Sequence, residues 1–183
     1  MLNQEQQATL LKVARQAVEA AAQGKPEKRP EPVSAPELQR PGGAFVTLEG
    51  PDGLRGCIGT LQPSLPLYQT VAEMGYAAAC RDPRFPPVSA RELATLHLEI
   101  SVLSPLERIS PEQVQPGVHG LVVRQGFRSG CLLPQVATKY GWGREEFLSQ
   151  TCLKAGLPPD AWEHGAEIEA FTAQVFGARL QDI

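Results

Sequence analysis

A chain of 183 residues, 42% of them hydrophobic, is long enough to bury a sizeable core as one domain. No run of residues reaches the roughly 18 to 20 apolar positions that a membrane-spanning helix needs, and the polar start MLNQEQQATLLK lacks the pattern of a signal peptide, so we predict a cytoplasmic protein with no membrane association. The 17 basic and 20 acidic residues give a net charge of −3, which provides no general attraction for nucleic acid and predicts no nucleic-acid partner.

The four cysteines show neither a CxxC pair nor a short spacing to histidine. This spacing predicts neither a zinc site nor a disulfide framework, and no metal is expected from it. In a reducing compartment the cysteines should therefore be free thiols. They are Cys57, Cys80, Cys131 and Cys152.

The first predicted element is a helix, which Asn3 can cap and Gly24 can end. Residues 26–41 follow with five prolines among sixteen residues, a composition that disfavours regular structure and favours an extended arm. We predict that residues 1–43, the helix and the proline-rich arm, form a smaller lobe.

The following residues alternate between apolar and polar positions, as β-strands do. The stretch AFVTLEGPDGLRGCIGTL predicts a hairpin turned at Pro51-Asp52-Gly53, and residues 96–103 predict a half-buried strand. The other predicted elements are a helix at about 65–80 capped by Ser64, a hairpin at 118–133 turned by Gly126 and Gly130, a helix after Pro134, a helix over REEFLSQTCLKAG, and one long strand near 166–177.

Hairpins without a regular alternation of strand and helix are typical of α+β folds. We therefore predict an α+β protein with a mainly antiparallel sheet flanked by helices, and with the smaller lobe described above. The whole chain, 1–183, is expected to be one domain, with 44–177 as its main body and 178–183 as a tail.

Cys57 lies between two glycines in the stretch LRGCIGT. Strand alternation places Arg55, Cys57 and Gly59 on one face, and Gly56 and Gly59 leave the backbone bare where a strand bends or a ligand approaches closely. A free cysteine is usually a small buried hydrophobe. It becomes a nucleophile when a nearby cation or backbone N–H groups favour the thiolate, and the sequence leaves both interpretations open.

The loop DPRFPP brings further charged groups close together along the chain. Asp82 and Arg84 can pair across Pro83 and stabilise the loop. Alternatively, Arg84 and Arg55 can bind a carboxylate or phosphate, which a planar guanidinium contacts through two hydrogen bonds. The candidate ligand-binding residues are therefore Arg55, Gly56, Gly59, Asp82 and Arg84.

Two more residues are candidates for acid–base chemistry. His119, between the small residues of GVHGL, is a candidate base, although a lone histidine in a turn is often a hydrogen-bonded surface residue. Glu99 lies on the non-core face of a predicted strand, where it can act as an acid or base or lie on a solvated face. The candidate catalytic set is Cys57, His119 and Glu99, which we expect to approach one concavity with the two arginines.

Several strings occur in the order that is typical of one protein family. LRGCIGT, DPRFPPVS, LEISVLSP, GVHGLVV, LLPQVA and KAGLPPDAW resemble successive signatures of the AMMECR family, whose prokaryotic members are called AmmeMemoRadiSam system protein A. The resemblance runs from about residue 3 to residue 177. It implies an α+β domain with a smaller lobe, a cleft lined by the signature residues, and no established activity. It also implies association with Memo-like and radical S-adenosylmethionine proteins.

Two functional hypotheses follow. In the first, the protein is an enzyme component that acts with these partners, Cys57 attacks an electrophilic carbon or carries a group, and His119 moves protons. In the second, it is a non-catalytic module that binds an unknown anionic small molecule or a partner protein through Arg55 and Arg84. The sequence identifies neither a substrate nor a cofactor.

Overall fold

The computed structural model describes residues 1–183 and contains two four-stranded sheets and five α-helices. The strand pairings are antiparallel, which confirms the predicted α+β class. The helices are α1 (Gln4–Ala22), α2 (Pro36–Gln39), α3 (Leu67–Cys80), α4 (Pro134–Tyr140) and α5 (Arg144–Lys154). The strands are β1 (Ala44–Gly50), β2 (Gly53–Thr60), β3 (His97–Leu103), β4 (Glu107–Arg108), β5 (Gly120–Gln125), β6 (Arg128–Leu132), β7 (Glu167–Phe171) and β8 (Ala173–Arg179).

The chain divides into two compact units. The first unit comprises residues 1–103 and 174–183, and the second comprises residues 104–173. The first unit contains the sheet with strand order β2-β1-β3-β8, and the second contains the sheet with order β4-β7-β5-β6. The prediction of one antiparallel sheet was wrong in this respect, because the strands form two separate ladders.

In the first unit, α1 and α3 pack together and cover one face of the sheet. The apolar stripe of α1 includes Leu10, Ala14 and Val18, which are fully buried. Asn3 caps the helix as predicted, in a capping box in which its side chain accepts from the backbone of Gln6. The capping box fixes the start of α1, and burial of the stripe fixes the helix against the sheet.

The predicted smaller lobe does not match this division. Helix α1 belongs to the larger unit, because its buried stripe packs on α3 and shares that unit's core. The arm also contains a short helix, α2, although five prolines predicted no regular structure there. Pro36 occupies the first turn of α2, where a missing N–H costs nothing, and Leu38 is fully buried.

Two details at helix α3 and strand β6 also differ from the prediction. Pro66, not Ser64, precedes the first turn of α3, and no side chain caps that helix. The turn of the second hairpin contains Gly126, whose φ is +61°, but Gly130 lies within β6. A Cβ on Gly130 would lie 2.3 Å from the backbone nitrogen of Ala155, so this glycine admits the end of α5 rather than a turn.

The predicted long strand at 166–177 is two strands in two different sheets. Strand β7 ends at Phe171 and β8 begins at Ala173, with Thr172 between them. At the break, the backbone N–H of Thr172 donates to Ser104 Oγ at 2.9 Å, and its carbonyl accepts from Ser104 N at 2.9 Å. The apolar and polar alternation continues through the break, which is why the sequence predicts one strand. The predicted tail at 178–183 includes Leu180, which is buried.

None of the helices combines the length and the apolar character that crossing a membrane requires.

Candidate functional site

Cys57 lies on the edge strand of the first sheet, on the face that α1 and α3 leave uncovered. Its register partner on β1 is Thr47, and the register partner of Thr47 on β3 is Glu99. These residues therefore form a row across three strands, which we call the Cys57–Thr47–Glu99 row. The hydroxyl of Thr47 donates a hydrogen bond to Cys57 Sγ at 3.2 Å.

The backbone of Cys57 is held on its outer side by the loop that follows α3. Its N–H donates to Asp82 Oδ2 at 2.9 Å, and its carbonyl accepts from Arg84 Nη2 at 3.3 Å. A carboxylate and a guanidinium thus take the two backbone groups that an edge strand normally presents to solvent or to another strand. We call this arrangement the Asp82–Arg84 clamp.

Within the clamp, Asp82 and Arg84 pair through two parallel hydrogen bonds. Arg84 Nε and Nη2 donate to the two carboxylate oxygens at 2.9 and 2.7 Å. Asp82 is only 4% exposed, and these bonds, together with those from the backbone N–H groups of Cys57 and Arg84, hold its pKa well below the usual range. The structure therefore confirms the loop-stabilising pair that the sequence left open.

Arg55 is fully engaged in a second structural contact. Its guanidinium donates to Glu92 Oε1 at 2.6 Å and to the carbonyls of Pro86 and Pro87 at 2.8 and 3.1 Å. Glu92 also accepts from Ser89, and these hydrogen bonds, that from Arg55 first, lower the pKa of Glu92 to about 2. Arg55 therefore anchors the loop that contains Pro86 and Pro87. The hydrogen-bond donors of its guanidinium are already paired with groups of the protein.

The environment of the Cys57 thiol favours its protonated form. Burial raises the pKa of Cys57, and it outweighs the hydrogen bond from Thr47 and the positive charge of Arg84, which lower it. The carboxylates of Asp82 and Glu99 raise that pKa further. The nearby cation that would favour a thiolate is present, but the carboxylate beside it offsets its charge.

Other atoms of the protein occupy the space beside Gly56 and Gly59. A Cβ on Gly56 would lie 2.1 Å from the carbonyl oxygen of Ala78 in α3, and one on Gly59 would lie 2.2 Å from the Phe45 ring. Gly56 faces the helices, away from the Cys57–Thr47–Glu99 row. Packing accounts for both glycines without a ligand.

One residue beside the row escaped the sequence analysis as a candidate. His97 is two positions from Glu99 on β3, and its Nε2 lies 2.8 Å from where a Cβ on Gly177 of β8 would be. Gly177 is exposed, and the same Cβ would lie 3.1 Å from the Glu99 Cα. The alternation that selected Glu99 selects His97 equally, so this signal was available in the sequence.

The candidate base, His119, belongs to the second unit. Its Nδ1 accepts from the backbone N–H of Gln115 at 3.3 Å, in a turn that contains Gly117 at φ +83°. This matches the alternative of a hydrogen-bonded turn residue. A Cys57–His119 dyad remains a prediction. No group of three or more His, Cys, Asp or Glu side chains could hold a metal ion.

We expect Arg55→Lys to destabilise the loop at 86–92, because an ammonium cannot reach Glu92 and two carbonyls at once. The free energy of unfolding should fall by about 1–2 kcal/mol. Urea unfolding and limited proteolysis of the loop measure the effect. Arg108→Lys is the matched control, since Arg108 forms an exposed pair with Glu167. Equal stability and equal proteolysis in both variants would contradict this role of Arg55.

In this α+β protein, the Asp82–Arg84 clamp joins two of the signature motifs, LRGCIGT and DPRFPP, by hydrogen bonds. A sequence model of the AMMECR1 family matches residues 11–176, and the chain belongs to this family. A protein of Methanothermobacter thermautotrophicus is 44% identical over 184 residues, covering 96% of this chain and 95% of that protein. Protein Mbar_A1807 of Methanosarcina barkeri is 43% identical, covering 91% of this chain and 87% of that protein.

A solved structure shows the same fold. The crystal structure of uncharacterized protein PH0010 from Pyrococcus horikoshii has a TM-score of 0.85 and 41% sequence identity, covering 92% of this chain and 89% of that chain. The names of these relatives state no activity.

Proposed function

We propose that this protein is a non-catalytic binding module, and that it binds its ligand or partner on the surface around Arg84 and the Cys57–Thr47–Glu99 row. The proposal rests on the structural role of the charged residues in the signature motifs. Arg55, Asp82 and Arg84 hold backbone and loop in place, while the thiol between them is kept protonated.

Arg84 is the group that remains available to a ligand. Its side chain is 54% exposed, and its Nη1 makes no hydrogen bond within the protein. Because Asp82 already neutralises much of its charge, Arg84 suits a single carboxylate, phosphate or carbonyl oxygen better than a polyanion. Its guanidinium also lies 5.4 Å from the Phe85 ring centroid, which helps to fix its direction.

The partners in this proposal are Memo-like and radical S-adenosylmethionine proteins. The resemblance to prokaryotic AMMECR members supports this choice. A rigid surface held by the clamp suits a module that presents a ligand to such partners or docks onto one of them.

An enzyme component is the second candidate function. The row favours it, because Glu99 lies on the same sheet face as the Cys57 thiol and Thr47 lies between them. In this version Cys57 is the nucleophile, and Glu99 handles protons. The raised pKa of Cys57 counts against it at neutral pH, since the thiolate is the reactive form.

Thermal shift measurements distinguish the two candidates. Inorganic phosphate, acetate, malonate and glycerol 3-phosphate are titrated into the wild type, Cys57→Ala and Arg84→Lys, alone and with each candidate partner protein. We expect a response that Cys57→Ala retains and Arg84→Lys loses, each measured from the variant's own melting temperature. Arg108→Lys serves as the control.

A response lost only in Cys57→Ala, at an unchanged melting temperature, would instead support thiol chemistry. Equal responses in all variants would contradict a site at this surface.

A further inference from the structure

The two edges of the first sheet differ in whether their outward backbone groups have hydrogen-bond partners. On β2, the Asp82–Arg84 clamp occupies the outward N–H and carbonyl of Cys57. On β8, the strand at the other edge, no side chain or loop takes the corresponding role over residues 175–179. An open edge is a template for another strand, and proteins usually block such edges.

A hydrogen bond at the end of β8 shows which of its backbone groups face β3. The N–H of Leu180 donates to the carbonyl of Leu96 at 2.8 Å, so the even-numbered residues of β8 point their backbone groups toward β3. The odd-numbered residues Val175, Gly177 and Arg179 therefore point theirs outward. None of these outward groups has a hydrogen-bond partner within the protein.

The composition of β8 lacks the usual protection of an edge. Its sequence, AQVFGAR, contains no proline and no lysine, and Arg179 is its only charge. Val175 is 44% exposed. The N-terminal segment forms two hydrogen bonds between the backbone of Leu2 and the side chain of Gln174, and these bonds involve no backbone group of residues 175–179.

We propose that the outer edge of β8 binds an extended segment of a partner protein as an additional antiparallel strand. Unpaired backbone donors and acceptors at strand spacing select an extended backbone. Val175 then faces an apolar side chain, and Arg179 faces a carboxylate four positions earlier in the partner segment. Gly177, between them, presents no side chain to the partner, since a Cβ there would lie 2.6 Å from the carbonyl oxygen of Leu98.

A second copy of this chain fits the edge less well. Two antiparallel β8 strands bring no acidic residue to Arg179, because β8 contains none. Seven residues span about 23 Å of edge, a length that a short extended segment covers completely. A short acidic and apolar segment of another protein satisfies both the charge and the size.

The test uses the full chain and a synthetic heptapeptide, acetyl-Thr-Glu-Thr-Val-Thr-Val-Thr-amide. We expect binding at sub-millimolar concentration, with amide hydrogen exchange slowed at Val175, Gly177 and Arg179. Methylation of the peptide nitrogens that face β8 should weaken binding at least tenfold, since it removes donors without changing side chains. Replacing the glutamate with lysine should weaken binding severalfold, and high salt should reduce this difference.

Two variants of the protein complete the test. Val175→Pro removes an outward N–H that β3 does not use, so the fold should persist while binding falls at least tenfold. Val175→Thr keeps that N–H and should bind as the wild type does. No binding at 5 mM peptide, or binding that methylation leaves unchanged, would overturn the proposal. A dimer of this chain that Val175→Pro dissociates would also overturn it, in favour of a second copy.

Discussion

Gly56→Ala is expected to destabilise the protein by at least about 3 kcal/mol, because it places a methyl group against backbone that cannot retreat. A Cβ at this position would lie 2.1 Å from the carbonyl oxygen of Ala78 and 3.1 Å from its carbonyl carbon. Strand β2 and helix α3 are both fixed by the core of the first unit. Chemical unfolding followed by circular dichroism measures the loss.

Gly50→Ala is the matched control in the same hairpin. Its Cβ would meet only Leu96 Cδ2, at 3.8 Å, which is an ordinary contact. We expect a change within about 0.5 kcal/mol. If Gly56→Ala were as stable as Gly50→Ala, the close packing of β2 on α3 would be wrong.

Asp82→Asn is expected to lower the free energy of unfolding by about 2–4 kcal/mol at neutral pH. The amide cannot accept both Arg84 bonds and the Cys57 N–H in the same geometry. The loss should lie below that of a fully buried ion pair, since Arg84 is half exposed and keeps its solvation.

The loss should also depend on pH. The pKa of Asp82 is lowered in the folded protein, so its carboxylate stabilises the fold above the ordinary value of about 3.9. This contribution declines as pH falls below that value. The difference between wild type and Asp82→Asn should therefore be constant from about pH 6 to 8 and shrink steadily below about pH 4.

Urea unfolding across this pH range measures the difference. Glu167→Gln, which breaks the exposed pair with Arg108, is the control and should change stability by less than about 0.5 kcal/mol. A difference for Asp82→Asn that grew toward acidic pH would contradict the clamp.

Much of the local structure could be predicted from the sequence, because local signals determine it. Asn3 caps α1, and the turn at 51–53 joins β1 and β2, as predicted. Strand β3 also lies within the predicted range, and its alternation correctly places Leu98 and Ile100 in the core. These features depend on neighbouring residues that periodicity and turn chemistry reveal.

The chain's division into units could not be predicted in the same way. The break between β7 and β8 depends on Ser104, 68 positions from Thr172, which pairs with the backbone where the chain changes sheets. The helix at 4–22 belongs to the larger unit because of its contact with α3, and no local pattern encodes that contact.

The candidate site also depends on contacts between distant parts of the chain, which local sequence patterns do not reveal. Alternation correctly placed Arg55 and Cys57 away from the helices, but the partner of Arg55 is Glu92, 37 positions later. The glycine next to the cysteine indicates either a bend in the strand or the close approach of a ligand, and in the structure Gly56 makes room for α3. Sequence reasoning identified residues of the network, but the contacts of Arg55 and Gly56 with distant parts of the chain could not be predicted from it.

The most direct test of this account is the pKa of the Cys57 thiol. Cys80, Cys131 and Cys152 are replaced by alanine, and the rate of iodoacetamide alkylation is measured from pH 6 to 11, relative to the unfolded chain. We expect slow alkylation at neutral pH and a midpoint above the ordinary thiol value of about 8.5. Rapid alkylation at pH 7 with a midpoint below that value would contradict this expectation and would make Cys57 a nucleophile.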